Sequence, residues 1–132
     1  MSDVFTPPAD AEVHETSTLI LWVDAEGILR VVCKPGTVHG AHEAEENNAV
    51  MAGGRRGPVL ADIRRLSSVH KEAREMYRSQ SSTTTAVALV VGSPLSRIIG
   101  NIFMGLSRLD YPVRLFTDEG DAIRWLREKR AA

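Results

Sequence analysis

Ala86-Val87-Ala88-Leu89-Val90-Val91 is a run of six residues without one polar side chain. A strand with one wet face alternates apolar and polar positions; a strand covered on both faces does not. Such a strand sits inside a mostly parallel sheet, and parallel neighbours need crossover connections, usually helices. This run therefore directs the chain toward an α/β fold before any other segment is read.

The flanking segments agree. Pro58 to Ile63 is a short apolar strand. Pro112 to Phe116 is the last one, and its Arg114 suggests a sheet edge with a face near solvent. Upstream, Thr18 to Val23 and Ile28 to Cys33 are β-rich runs joined by Asp24-Ala25-Glu26-Gly27. So short a turn, with a glycine free to take φ > 0, predicts an antiparallel hairpin. Four helices are expected. The first runs from His39 to Ala52 on a thin stripe of Ala41, Ala44, Met51 and Ala52, weakened by Asn47 and Asn48 and stopped by Gly53-Gly54. The second runs from Val69 to Gln80, with Ala73, Met76 and Tyr77 on one face. The third opens on Ser93 as N-cap and Pro94 at the first helical position, and extends to Arg108. Leu95, Ile98, Ile99, Ile102, Phe103 and Leu106 form its apolar stripe. The fourth is capped by Thr117 or Asp118, with acids early (Glu119, Asp121) and bases late (Arg127, Lys129, Arg130), as the helix dipole favours. The order is ββαβαβαβα: a mostly parallel five-stranded sheet with an N-terminal antiparallel hairpin and helices packed on it.

Length and composition narrow the function classes. A chain of 132 residues is one domain by size. Residues 1–15 carry prolines and acids without a packing period and read as a flexible tail, leaving 16–132 as the domain. Aromatics are only 5%, so aliphatic side chains must build the core. A net charge of -1 and a pI near 6.4 give no electrostatic reason to expect nucleic acid or a membrane surface as partner. The single cysteine, Cys33, excludes an intrachain disulfide and lies in an apolar run as a small buried hydrophobe. No signal-peptide pattern opens the chain, and no apolar run nears the roughly 20 residues that span a bilayer. The expected address is the cytoplasm.

Particular segments resemble a known family. Val59-Leu60-Ala61-Asp62-Ile63-Arg64 with Ser68 to Arg74, then Val91-Gly92-Ser93-Pro94-Leu95-Ser96-Arg97-Ile98-Ile99-Gly100-Asn101, then Phe116-Thr117-Asp118 through Ala122-Ile123-Arg124-Trp125-Leu126, carry the likeness. Across residues 16 to 130 the chain resembles the SpoIIAA-like, or STAS-like (STAS/SEC14-domain-like), family of small uncharacterised bacterial proteins. The resemblance implies the fold above and a domain that works by binding proteins, or in some members small ligands. Anti-sigma-factor antagonists of this fold carry a phosphorylatable serine where the helix after the third strand opens. Here that stretch reads His70-Lys71-Glu72-Ala73, so the phosphorylation switch does not carry over.

Three constellations stand out. The carboxyl ends of parallel strands are where α/β proteins place function. Lys34, Asp62, Arg64, Arg65, Ser93 and Arg97 should gather there beside two helix N-termini, which attract anions. That makes a small anionic or lipid-like ligand one reading; the other is that Ser93 caps a helix, Asp62 accepts loop N–H groups and the arginines are solvated. His39, His42, Glu43 and Glu46 lie at helical spacing, yet lack a metal-binding pattern and a third ligand group, so a solvated face is expected and no metal or other cofactor. Ser96, Gly100, Asn101 and Met104 lie opposite the aliphatic stripe of the third helix as a candidate interaction surface. Gly100 lowers helix propensity by about 1 kcal/mol against alanine, which is tolerated where something approaches closely. A protein partner or second copy and a neighbouring helix of the same chain are equally open there. No nucleophile elbow and no oriented base occur, so Asp62, His70 and Ser93 make a weak catalytic set, and a non-catalytic interaction or regulatory module is expected.

Overall fold

The structure, a computed structural model, describes residues 6–51, 57–78, 84–105 and 111–131. Its main sheet has the order β1 (His14–Glu15), β2 (Leu19–Val23), β3 (Leu29–Cys33), β5 (Gly57–Asp62), β7 (Thr84–Val90) and β8 (Val113–Phe116). β2 (Leu19–Val23) and β3 (Leu29–Cys33) form the antiparallel hairpin, with Leu19 opposite Cys33 and Val23 opposite Leu29. Asp24 shapes the turn: its Oδ1 accepts the N–H groups of Glu26 at 2.8 Å and Ile28 at 3.0 Å. Gly27 there takes φ 80°, a region that favours glycine. β5 (Gly57–Asp62), β7 (Thr84–Val90) and β8 (Val113–Phe116) then continue the sheet in parallel. The all-apolar run thus lies in an interior strand, and Arg114 lies on the edge strand.

Two short strand pairs extend this pattern. β1 (His14–Glu15) pairs with Ile20 and Leu21, so the sheet begins inside the segment that the sequence assigns to the tail. β4 (Val38–His39) pairs in parallel with β6 (Ser68–Val69) as a separate two-stranded ladder. Sequence reasoning puts His39 and Val69 in helices; both are in strands immediately before them. Thr37 O accepts Ser67 N, and His39 O accepts His70 N at 2.8 Å. This ladder holds the starts of α1 (Ala41–Met51) and α2 (Lys71–Arg78) side by side.

Alternation along the strands divides the core in two. Leu29, Val31, Ala61, Ile63, Leu89 and Val91 belong to the face covered by α1, α2 and α3 (Pro94–Gly105). Ile28, Leu60, Ala86, Ala88 and Val90 face α4 (Glu119–Ala131), which buries Ala122, Ile123, Trp125 and Leu126 on them. Asp118 caps α4 by accepting Asp121 N at 3.0 Å. Trp125 packs on Phe116 at 5.6 Å between ring centroids.

The orientation of α3 corrects the sequence reading. Ser96, Ile99 and Gly100 are buried, whereas Leu95, Ile98 and Ile102 are 48%, 56% and 41% exposed. Two contacts set this rotation. Ser96 is drawn inward to close the helix cap, with its Oγ 3.0 Å from both Gly92 N and Ser93 N. Gly100 lies so close to the sheet that a Cβ there would sit 2.6 Å from Leu115 Cδ2 and 3.3 Å from Val91 Cγ1. The aliphatic arc of the helix is wider than its buried arc, and part of it faces out. Leu106 lies outside the described residues, as do the side chains of Phe103 and Met104.

Candidate functional site

At the strand ends Asp62, Arg64 and Glu119 come together and hold one another. Asp62 ends β5 almost fully buried; its Oδ1 accepts Arg64 N and Arg64 Nε at 3.0 Å, and its Oδ2 accepts Arg64 Nη2 at 3.0 Å. Arg64 Nη1 reaches Glu119 Oε1 at 3.0 Å, linking the end of β5 to the start of α4. Gly92 makes room for this arginine, since a Cβ there would stand 3.1 Å from Arg64 Cδ. Lys34 Nζ donates to Thr16 O at 2.8 Å and pairs with Glu15 Oε1 at 2.7 Å. Arg65 and Arg97 are exposed.

The α3 N-terminus is likewise filled from within. Ser93 Oγ accepts Ser96 N at 3.0 Å, and Ser96 Oγ accepts Gly92 N and Ser93 N. Three of the N–H groups at this end, those of Gly92, Ser93 and Ser96, are thus already bound by serine oxygens. Of the candidate interaction surface, Ser96 and Gly100 are buried against their own sheet and Asn101 is exposed. The close approach that Gly100 permits is to Leu115 of β8, a strand where sequence reasoning names a helix, a partner or a second copy. His70 is exposed, while Asp62 is buried on Arg64 and Ser93 Oγ is engaged in the α3 cap.

The histidine and acids of the first helix also part company. His42 is exposed; Glu43 Oε1 accepts Gly40 N at 2.8 Å as a helix cap; Glu46 binds Ser17 through its backbone N–H and hydroxyl. Among the described residues, no group of three or more His, Cys, Asp and Glu side chains could hold a metal.

What sequence reasoning did not find lies between the sheet and α1, α2 and α3. A cavity of about 130 Å³ opens there over Leu29, Val31, Val59, Ala61, Val87 and Leu89 of the sheet. Met51, Tyr77 and Ile99 close it from the helices, and Cys33, His39 and Leu66 bound its strand-carboxyl end. The buried positions of the two covering helices are small or polar: Ala44, Asn47 and Asn48 on α1, and Ala73 on α2. Protein interiors are normally packed as densely as organic crystals. No aspartate, glutamate, lysine or arginine occurs among its described lining residues.

A polar network stands at the edge of the cavity. Thr16 Oγ1 donates to Asn47 Oδ1 at 2.6 Å while accepting Leu19 N at 2.9 Å. Asn47 Nδ2 donates to Thr18 Oγ1 at 2.9 Å and Tyr77 Oη at 2.8 Å. Tyr77 Oη lies 2.6 Å from His39 Nδ1. His39 is 2% exposed, and its Nε2 is buried without a hydrogen-bond partner among the described residues. Burial lowers the imidazole pKa to about 4, with Glu43 pulling weakly the other way. Burial raises the Tyr77 phenol and pushes the Cys33 thiol up to about 12, with the charge of Asp62 adding to the latter. Asn47 and Asn48, read as defects of an amphipathic helix, are instead its buried anchors. Asn48 Nδ2 donates to Met76 O at 3.0 Å. The signal was present in the paired asparagines, but only the partners Thr16, Thr18 and Tyr77 give it meaning.

Sheet order, parallel register and a helix layer on each face define an α/β domain of SpoIIAA-like type. The solved structure of an uncharacterised DUF3478-family protein from Shewanella loihica PV-4, described as having a SpoIIAA-like fold, is similar at a TM-score of 0.53. The match has 15% sequence identity and covers 88% of this chain and 91% of that one, a likeness of fold. More particularly, residues 21–130 match the family described as a domain of unknown function, DUF7793, and the chain belongs to it. No curated protein matches the sequence. Among the described residues, no helix is long and apolar enough to cross a membrane.

Proposed function

We propose that this protein is a non-catalytic binding protein that encloses a small apolar molecule between its sheet and helices α1, α2 and α3. The observation that carries this reading is the 130 Å³ cavity with its uncharged lining. An apolar cavity of roughly 150 Å³ accepts a molecule the size of benzene, and filling the void recovers packing that the core lacks. A strand-end anion site gains no such support, because Asp62 and Glu119 bind Arg64, Glu15 binds Lys34, and serine oxygens occupy the α3 cap. Native mass spectrometry before and after mild denaturation tests the reading. A small mass lost on denaturation is expected. A bare protein mass, together with no thermal stabilisation by saturating ethylbenzene, overturns it.

A second reading rests on a separate observation and concerns regulation by association. Leu95, Ile98 and Ile102 are exposed at i, i+3 and i+7, the spacing of a helix-pairing seam. Arg97 is the single charged residue of α3. A second copy of this chain is the occupant that fits, since two such helices pair seam to seam about a twofold axis. Sedimentation equilibrium tests it: a dimer supports the reading, and a monomer at 100-micromolar scale overturns it.

A further inference from the structure

The cavity has one end that its apolar lining does not explain. Every polar group of the Thr16, Thr18, Asn47 and Tyr77 network has a partner, and the pattern of donors fixes a direction. Thr16 Oγ1 accepts the backbone N–H groups of Thr18 and Leu19, so its own proton goes to Asn47 Oδ1. Asn47 is thereby oriented with its amide nitrogen toward Thr18 Oγ1 and Tyr77 Oη. Assigning the Tyr77 proton to His39 Nδ1, 2.6 Å away, completes the direction. A neutral imidazole that accepts at Nδ1 carries its proton on Nε2. The network therefore ends in an N–H donor, on a residue that lines the cavity, with no acceptor among the described residues. A buried donor left without an acceptor costs about 1–3 kcal/mol.

We infer that the enclosed molecule is uncharged and carries a hydrogen-bond-accepting oxygen (carbonyl, ether or hydroxyl) seated on His39 Nε2, with its apolar part lying over Val31, Ala61 and Leu89. This rests on the binding function proposed above and adds the chemical class of the ligand. The class is uncharged because no acid or base among the described lining residues would balance a charge. It has an acceptor at one end because a pure hydrocarbon would leave the imidazole N–H unpaired.

Ethylbenzene and acetophenone test the two levels separately, since they share a carbon skeleton and differ by one carbonyl oxygen. Calorimetry on the wild-type chain and on His39→Phe gives the ratio of the two affinities in each protein. Taking the ratio cancels the different hydration of the probes. The acetophenone-to-ethylbenzene preference is expected to fall about tenfold in His39→Phe, the size of one net hydrogen bond. In wild-type protein labelled with ¹⁵N at histidine, acetophenone should shift the His39 Nε2–H resonance and ethylbenzene should not. This second readout stands even if His39→Phe fails to fold. Binding of both probes with an unchanged ratio or an unmoved Nε2–H resonance overturns the oxygen acceptor while upholding the cavity. Binding of neither probe overturns both.

Discussion

Removing the ring nitrogens of His39 should remove a specific part of the acid sensitivity of this protein. In the folded state burial holds the imidazole pKa near 4, against an ordinary value of 6.5. The unfolded chain takes up a proton as pH falls through 6.5, while the folded chain cannot do so until about 4. Wherever the unfolded state binds more protons, stability falls as pH falls. The contribution is thus fully present above the unfolded value and is lost as pH descends toward the folded one. Between pH 7 and pH 5 the two titrations differ by about 2 kcal/mol. At an m-value of roughly 2 kcal/mol per molar urea, the midpoint drops by about 1 M. Glu43, through Gly40 N–H and its own backbone, and Glu46, through Ser17, are both held below the ordinary carboxylate range and stay ionised in this window. Urea unfolding of wild type and His39→Phe at pH 7 and pH 5 isolates the effect, because other groups contribute equally to both proteins. On acidification His39→Phe should lose about 2 kcal/mol less than the wild type. An identical pH dependence in the two proteins would refute the buried neutral imidazole.

Other substitutions test the remaining architecture. Asn47→Ala strands the buried partners Thr16, Thr18 and Tyr77 and should lower unfolding free energy by about 3 kcal/mol; a change under about 1 kcal/mol would show that water replaces the amide. Asp62→Asn weakens the clasp on Arg64, and, discounted for the arginine's partial exposure, should cost about 2 kcal/mol in a urea titration. If Asp62 served only an external ligand, stability would be unmoved. Gly100→Val places methyl groups against Leu115 and Val91 and should cost about 2 kcal/mol by overpacking, measured by thermal unfolding; unchanged stability would mean α3 stands off the sheet. Ile98→Lys, on the exposed arc of α3, should leave unfolding free energy within about 0.5 kcal/mol and abolish any dimer seen by sedimentation. A dimer that survives lies elsewhere on the surface.

Much of the fold is legible in the sequence because its signals are local and repeated. The unbroken apolar run places β7 inside the sheet, the Asp24–Gly27 turn sets the hairpin, and Ser93-Pro94 and Asp118 mark helix starts through caps that need only neighbouring residues. The reading that Ser93 caps a helix and Asp62 accepts a loop N–H is also legible, and the structure places both in those roles. Less was visible where a residue's role depends on something distant. His39 and Val69 read as helical because a two-residue strand leaves no period to detect; they are strands only because each finds the other. Asn47 reads as a helix defect until Thr18 and Tyr77, 29 and 30 residues away, come to its side chain.

Turn chemistry, caps and the apolar pattern of the main strands act within a few residues, so the hairpin and the parallel strands that follow it are written in the chain alone. The tertiary structure alone decided which arc of α3 faces water, since that rotation is set by the fit of Gly100 against Leu115 and the inward pull of Ser96. Packing of distant elements also sets the cavity over the sheet, and it ends the hydrogen-bond chain from Thr16 on His39, whose Nε2 has no partner among the described residues. Volume and hydrogen-bond satisfaction are properties of what surrounds a side chain, and those surroundings come from elements that no local pattern brings together.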